Sequence, residues 1–212
     1  AQNRFCFMVF IVCRDSAIAV ATPSRSPRIN VMSAASTAMS VPLPMAKPSY
    51  DRFGRRIDYL RISLTDRCNL RCVYCMPAEG MVWQPRDQLL TFEEIERIAR
   101  VCVERFGFDS IRLTGGEPTV RARLPVLVAK LSALGVDLSL TTNGSTLASS
   151  AHDLRAAGLD RINVSLDSLR ADRFLELTRR DELPQVLTGI RAAVAAGFEP
   201  VKVNVVVVRG VN

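Results

Sequence analysis

The chain has 212 residues, 48% hydrophobic and 23% charged, with 28 basic against 21 acidic side chains for a net charge of +7. Such a composition suits a soluble globular protein of one domain or slightly more, with ample material for a core, and it excludes a disulfide-stapled miniprotein. The positive charge does not make a nucleic-acid binder: before Asp51 stand five basic residues (Arg4, Arg14, Arg25, Arg28, Lys47) and one acid (Asp15), so the leading segment holds +4 and the remainder only +3.

Residues 1–49 differ in character from the rest of the chain. A short apolar run, Phe5 to Val12, is succeeded by a Ser-, Ala-, Pro- and Thr-rich stretch with no period, so the segment is expected to be an unstructured leader or a mis-assigned N-terminal extension. A start assigned too far upstream, with Met32 or Met39 as the true one, is preferred to a signal or transit peptide. The apolar run falls far short of the ~20 residues that cross a bilayer, so no membrane association is expected. Cys6 and Cys13 are read as incidental.

From Tyr59 onward short β-rich strings alternate with amphipathic stretches. Strands are predicted at Tyr59 to Leu64, Ser110 to Thr114, Val136 to Thr142, Arg161 to Asp167 and Val201 to Val208. A capping box, Thr91-Phe92-Glu93-Glu94, opens a helix through Arg105, and further helices fit Ala122 to Leu134, Ser149 to Ala157 and Leu183 to Ala196. Gly107, Gly135, Gly158 and Gly197 stand where helices should close. Strand, helix, strand order implies parallel pairing and an α/β fold.

The strands alternate apolar and polar residues, unlike the continuous apolar runs of a sheet covered on both faces. Leu60, Ile62 and Leu64 interleave with Arg61, Ser63 and Thr65, and the other strands repeat the design, leaving Arg61, Arg112 and Lys202 on the polar side. A solvated open sheet would account for Ser and Thr there, but less well for two arginines and a lysine. An incomplete, TIM-like parallel barrel with a wet lumen accounts for both.

Reactive groups of a parallel barrel gather where strands end. After the first strand comes Cys68-Asn69-Leu70-Arg71-Cys72-Val73-Tyr74-Cys75, a CxxxCxxC triplet. Structural zinc would need a fourth Cys or His nearby, whereas the next cysteine is Cys102 on a predicted helix and the sole histidine is His152. A structural disulfide is disfavoured by the ample core. A thioredoxin-type CxxC would use Cys72 and Cys75 and leave Cys68 idle, so it ranks between zinc and an iron–sulfur cluster. Three thiolates cannot fill the four cysteine positions of an ordinary 4Fe-4S cluster, so one iron would stay open to a small chelating molecule. Gly115-Gly116-Glu117-Pro118 follows the second strand, where two glycines let a ligand approach the backbone. The third strand ends Thr141-Thr142-Asn143-Gly144, by itself a turn signal, and the fourth ends Ser165-Leu166-Asp167-Ser168, where Asp167 is equally a helix-cap candidate. Cys102 reads as a small core residue, His152 as an exposed one, and Trp83 as either a shield over the cysteine loop or a surface anchor.

The cysteine triplet and the GGEP string one strand later resemble the radical S-adenosylmethionine (radical SAM) superfamily. More narrowly, Tyr59-Leu60-Arg61-Ile62-Ser63, Thr65-Asp66-Arg67-Cys68-Asn69, Ile111-Arg112-Leu113-Thr114 with its GGEP, Thr141-Thr142-Asn143-Gly144, Ile162-Asn163-Val164-Ser165-Leu166-Asp167-Ser168 and Val201-Lys202-Val203-Asn204 are similar, in order and spacing, to the GTP 3',8-cyclase family of molybdenum cofactor biosynthesis. That resemblance implies a radical SAM core over 50–212, truncated at its C-terminus, with a 4Fe-4S cluster on Cys68, Cys72 and Cys75. It further implies S-adenosylmethionine contacts from Tyr74, Gly116 and Ser165, and GTP contacts from Arg61, Arg112, Thr141 and Lys202. The implied reaction is a lyase-type cyclisation in which a 5'-deoxyadenosyl radical takes the ribose 3' hydrogen of GTP, and the sugar radical attacks C8 to give 3',8-cyclo-7,8-dihydro-GTP. A cytoplasmic enzyme is implied, with an electron donor such as flavodoxin or ferredoxin, and a homodimer is compatible with it. The family's second 4Fe-4S cluster uses three C-terminal cysteines, and no second triplet occurs before Asn212. A fragment is therefore expected in preference to a decayed copy. Two alternatives remain open: another radical SAM branch acting on a peptide or cofactor, and a non-catalytic iron–sulfur module.

Overall fold

In the computed structural model, residues 9–13, 16–19, 49–77 and 79–212 are described, the first two segments as backbone only. Among them nine strands and five α-helices follow one another: β1 (Val9–Cys13), β2 (Ser16–Ala19), β3 (Ser49–Tyr50), β4 (Arg56–Ile57), β5 (Tyr59–Ser63), α1 (Phe92–Phe106), β6 (Ser110–Thr114), α2 (Leu124–Ser132), β7 (Asp137–Thr142), α3 (Ala151–Ala156), β8 (Arg161–Ser165), α4 (Ala171–Thr178), α5 (Leu183–Ala195) and β9 (Lys202–Asn204). The main sheet runs β2-β1-β5-β6-β7-β8-β9, and β3 and β4 form a separate two-stranded sheet. From β5 to β9 every pairing is parallel, while β1 joins both β2 and β5 antiparallel.

This is the α/β arrangement expected from the alternating pattern, five parallel strands of an incomplete barrel with helices on the apolar side. Leu60, Ile62, Ile111, Leu113, Leu138, Leu140, Ile162 and Val164 occupy that side and are essentially solvent-free. Against them lie Ile95, Ala99 and Cys102 of α1, Leu124, Leu127, Val128 and Leu131 of α2, and Val186 and Ala193 of α5, spaced as one helix face requires. Cys102 is a core residue as expected, its thiol pushed up to about 11 by burial. The Thr91 capping box forms, with Glu94 N–H donating to Thr91 Oγ1 at 3.2 Å and Thr91 N–H to Glu94 Oε2 at 2.8 Å, and Gly107 closes α1 in the left-handed region at φ 67°. His152 lies exposed on α3, 3.8 Å from Asp153. No helix among the described residues is long and apolar enough to cross a membrane.

Three expectations are corrected. Within the leader, Val9–Cys13 and Ser16–Ala19 form strands; the edge of β5 offers free N–H and C=O groups, and a β-branched run satisfies them. The rest of the leader up to residue 48, Cys6 included, lies outside the described residues. The strand expected over Val201 to Val208 is only Lys202–Asn204, because among the described strands β9 has one neighbour and the valines after it have no ladder to continue. Asp167 caps no helix: α4 begins at Ala171 with Arg170 at its N-cap, and the Asp167 carboxylate accepts from Tyr74 and from Val206 N–H.

The polar side of the sheet falls into rungs. Arg61 pairs with Arg112 and Arg112 with Ser139. Two residues further along, about 6.6 Å at the usual rise, Thr141 pairs with Asn163 and Asn163 with Lys202. The next rung holds Ser165 opposite Asn204. At this end the two glycines of GGEP meet the chain itself: Gly116 N–H donates to Thr65 O at 2.6 Å and Glu117 N–H to Arg67 O at 2.7 Å. A Cβ on Gly116 would collide with the Asp66 and Arg67 carbonyl oxygens.

Replacement of core Leu140 by Ala should cost about 3 kcal/mol, through lost burial and the cavity left behind, whereas Thr91→Ala should cost only about 1 kcal/mol for the lost cap. Urea unfolding monitored by circular dichroism measures both. Gly116→Ala, although it adds a single methyl, should cost more than about 1 kcal/mol because backbone rather than a flexible side chain must move.

Candidate functional site

The loop after β5 carries the three thiols. Its base is tied to the GGEP turn through Thr65 and Arg67, and its middle is tied to α4: Arg71 N–H donates to Thr178 O and Val73 N–H to Leu177 O, both at 2.9 Å, using the carbonyls that end every helix unpaired. Arg179, which closes α4 in the left-handed conformation at φ 54°, reaches Arg71 O and Met76 O with its guanidinium. Arg71 bonds back to Cys68 O and Leu70 O and lies over the Trp83 ring at 5.5 Å. Trp83 thus anchors Arg71. Inside the loop, Cys75 N–H and Met76 N–H both donate to Cys72 O at 2.9 Å, a tight turn that brings the last two cysteines together.

Cys68 and Cys72 are partly buried and Cys75 is exposed. Burial, opposed by hydrogen bonding, pushes the Cys68 thiol up and brings Cys72 to about 11; the neighbouring thiolates add to the rise in both. Among the described residues no three His, Cys, Asp or Glu side chains stand in a metal-binding arrangement. The donor set nevertheless fits a thiolate-held cluster with a missing fourth cysteine: three sulfurs on one loop, one of them open to solvent, with no fourth Cys or His adjoining in that loop among the described residues.

The other predicted residues surround this loop. Tyr74 donates its hydroxyl to Asp167 Oδ2 at 2.5 Å, bringing the cysteine loop to the end of β8, two residues beyond Ser165. Burial and the Asp167 bond drive the Tyr74 phenol well above its ordinary value, so it is neutral. Gly116 sits directly beneath the cysteine loop. Arg61, Arg112, Thr141 and Lys202 lie on the polar side of the strands below, where Arg61 Nε and Thr141 Oγ1 are buried with no hydrogen-bond partner. Arg112 is held by a 3.4 Å bond to Ser139 Oγ and by the Tyr59 ring 5.4 Å from its guanidinium. Lys202 is exposed on the edge strand. Arg161, on the same rung as Arg112, is paired with Asp137.

Sequence reasoning missed a polar cluster at the end of β7. Glu117 is 1% exposed and accepts from Thr119 N–H, Thr119 Oγ1, Thr142 Oγ1 and Asn143 N–H at 2.5–3.0 Å. Burial pushes its carboxyl above the usual range while the four donors pull the other way. Asn143, read from sequence as half of a turn, directs its side chain at Asn69 and Cys68. The GGEP glutamate had no other visible purpose in the sequence, and that was the available signal.

A profile of the Radical SAM superfamily matches residues 62–212. Among curated proteins, the GTP 3',8-cyclase of Mycolicibacterium smegmatis is 54% identical over 172 residues, covering 80% of this chain and 48% of the relative. That of Geobacter sulfurreducens is 56% identical over 164 residues, covering 76% and 50%. The chain therefore spans about half the length of these relatives. Methylornithine synthase shares the fold with a TM-score of 0.58 at 18% identity, over 73% of this chain and 45% of that one. Streptococcus suis SuiB bound to precursor peptide SuiA does so with a TM-score of 0.57 at 22% identity, over 70% and 32%. With a cysteine triplet on the first loop of a parallel α/β sheet and a superfamily match across most of its length, this chain belongs to the radical SAM superfamily.

Proposed function

We propose that this chain is the radical-generating and nucleotide-binding part of a GTP 3',8-cyclase. Cys68, Cys72 and Cys75 would hold a 4Fe-4S cluster whose fourth iron takes S-adenosylmethionine. The observation that carries the reading is the polar side of the sheet: Arg61 and Arg112 adjacent on one rung, Thr141 and Lys202 on the next, with Arg61 Nε and Thr141 Oγ1 buried and unpartnered. Buried donors without partners cost about 1–3 kcal/mol each, so they favour a ligand that brings acceptors. GTP does so through its triphosphate and its base, and arginine forks suit phosphate oxygens. The more than 50% identity to curated GTP 3',8-cyclases supports the same substrate.

Held there, a cluster with S-adenosylmethionine would supply a 5'-deoxyadenosyl radical; the roles that follow belong to the chain's own residues. The two arginines draw the anionic end of the nucleotide into the sheet's concave side. Tyr74, held by Asp167, closes one flank of the cysteine loop, and Gly116 together with Ser165 lines the strand ends nearest the thiols. Such a wall positions the ribose and keeps water from the radical, which is the protein's share in cofactor-driven chemistry. A one-electron donor of the flavodoxin or ferredoxin class would reach the loop on the exposed Cys75 side.

Anaerobic reconstitution tests the first half of this reading. Addition of S-adenosylmethionine should perturb the paramagnetic resonance spectrum of the reduced protein and release 5'-deoxyadenosine, and an unchanged spectrum would sink it. Nucleotide binding tests the second half: Arg112→Ala should weaken GTP about tenfold in equilibrium dialysis, about 1.4 kcal/mol, with a smaller loss for Lys202→Ala. Equal affinity for GTP and an unrelated peptide would point to another radical SAM branch. A chain extended to the length of its curated relatives should form 3',8-cyclo-7,8-dihydro-GTP.

A further inference from the structure

The end of β7 holds a closed polar circuit to which the proposed reaction assigns no part. Asn143 is 9% exposed, and both protons of its side-chain amide are directed: Nδ2 lies 2.8 Å from Asn69 Oδ1 and 3.8 Å from Cys68 Sγ, within range for an N–H donating to sulfur. The other end of the same amide is fixed, since Asn143 Oδ1 accepts from Ser145 N–H at 3.0 Å and from Ser145 Oγ at 2.9 Å. That pair of bonds determines which end of the amide is nitrogen. Asn69 Nδ2 donates to Ser145 Oγ at 2.6 Å and completes the ring. The backbone beneath is equally constrained: Asn143 N–H donates to the buried Glu117 carboxylate at 2.6 Å, and Gly189 of α5 presses so closely on Gly144 O that a Cβ there would collide with it.

We infer that Asn143 is a positioning residue for the cluster proposed on Cys68, Cys72 and Cys75, its amide donating a hydrogen bond to the Cys68 sulfur and so raising the cluster's reduction potential. The inference rests on that cluster reading and adds to it. Hydrogen bonds to ligating sulfur offset part of the charge that an added electron brings, and they are among the main settings of iron–sulfur potentials. The donor is one that cannot rotate away: flipping the amide would set Asn143 Oδ1 against Asn69 Oδ1 and against the thiolate, and would confront Ser145 N–H with a second donor. Ser145 and Glu117 hold the residue, and Asn143 alone of the three touches sulfur.

The experiment uses the full chain, reconstituted anaerobically with iron and sulfide and titrated with a one-electron reductant, reading the reduced cluster by paramagnetic resonance. Asn143→Ala should move the reduction equilibrium about tenfold toward the oxidised form, about 59 mV lower for one electron. Ser145→Ala, which loosens the same circuit but leaves the donor, should shift it far less, although both variants lose thermal stability. Should Asn143→Ala load poorly, the isosteric Asn143→Asp serves with a different readout: electron–nuclear double resonance should show one exchangeable-proton coupling of the reduced wild-type cluster missing from the variant. Wild-type potential in Asn143→Ala, equal shifts in Asn143→Ala and Ser145→Ala, or retention of every exchangeable coupling in Asn143→Asp would overturn the inference while leaving the cluster in place. A wild-type chain that assembles no cluster overturns the cluster reading, and the inference with it.

Discussion

Glu117 carries a carboxylate into the interior and forms no ion pair among the described residues. An isolated buried charge is costly by several kcal/mol, and only saturation with hydrogen bonds makes it tolerable. Four donors supply that saturation, two from the turn just after Glu117 and two from the end of β7. The side chain therefore staples the tip of β6 to the tip of β7, while its own N–H, with that of Gly116, staples the tip of β6 to the base of the cysteine loop. Three consecutive elements of the reactive end share one fixed point. The glycines belong to the same device, since the cysteine loop can come this near only where a side chain is lacking.

Rigidity at this end and openness on the polar side are separate achievements of the same strands. On the helix side, apolar residues at alternate positions pack without exposure. On the other, charged groups sit at matching positions so that register, set by parallel pairing, brings Arg61 beside Arg112, neither of which forms an ion pair among the described residues. Arg161 shows the contrast, for it occupies the same rung and its charge is spent on Asp137. Guanidinium groups without a carboxylate partner in a partly enclosed surface are expensive to keep, which is why their presence points toward a ligand.

The core strands were legible in sequence because period-two alternation survives wherever one face is buried, and the capping box of α1 is a local device that needs nothing from the rest of the fold. The cysteine loop was legible through its spacing. Less visible were contacts made between distant segments. The helix over Ala171–Thr178 is eight residues long and uncapped by side chain, so its pattern is too brief to stand out, yet its last carbonyls hold the cysteine loop. Asp167 looks like a cap in the sequence because Asp commonly is one; its partners, Tyr74 and Val206, are 93 and 39 residues away. The two leader strands escaped notice for a related reason: a β-branched run without turn or period becomes a strand only once β5 offers an edge.

Asn143 illustrates how far a local reading goes. Asn-Gly is a turn by backbone preference, and Gly144 does take a positive φ of 80°. Nothing in that preference requires asparagine's amide, since any residue comfortable at the end of a strand could precede the glycine. The requirement comes from across the fold, where a sulfur, a carbonyl oxygen and a serine ask for two donors at one end of a planar group and an acceptor at the other. Glutamine has the same groups on a longer stem, and aspartate has the length without the donors. Where a turn residue meets its partners with both ends of its side chain, the turn is the occasion for its presence and the distant partners are the reason for its identity.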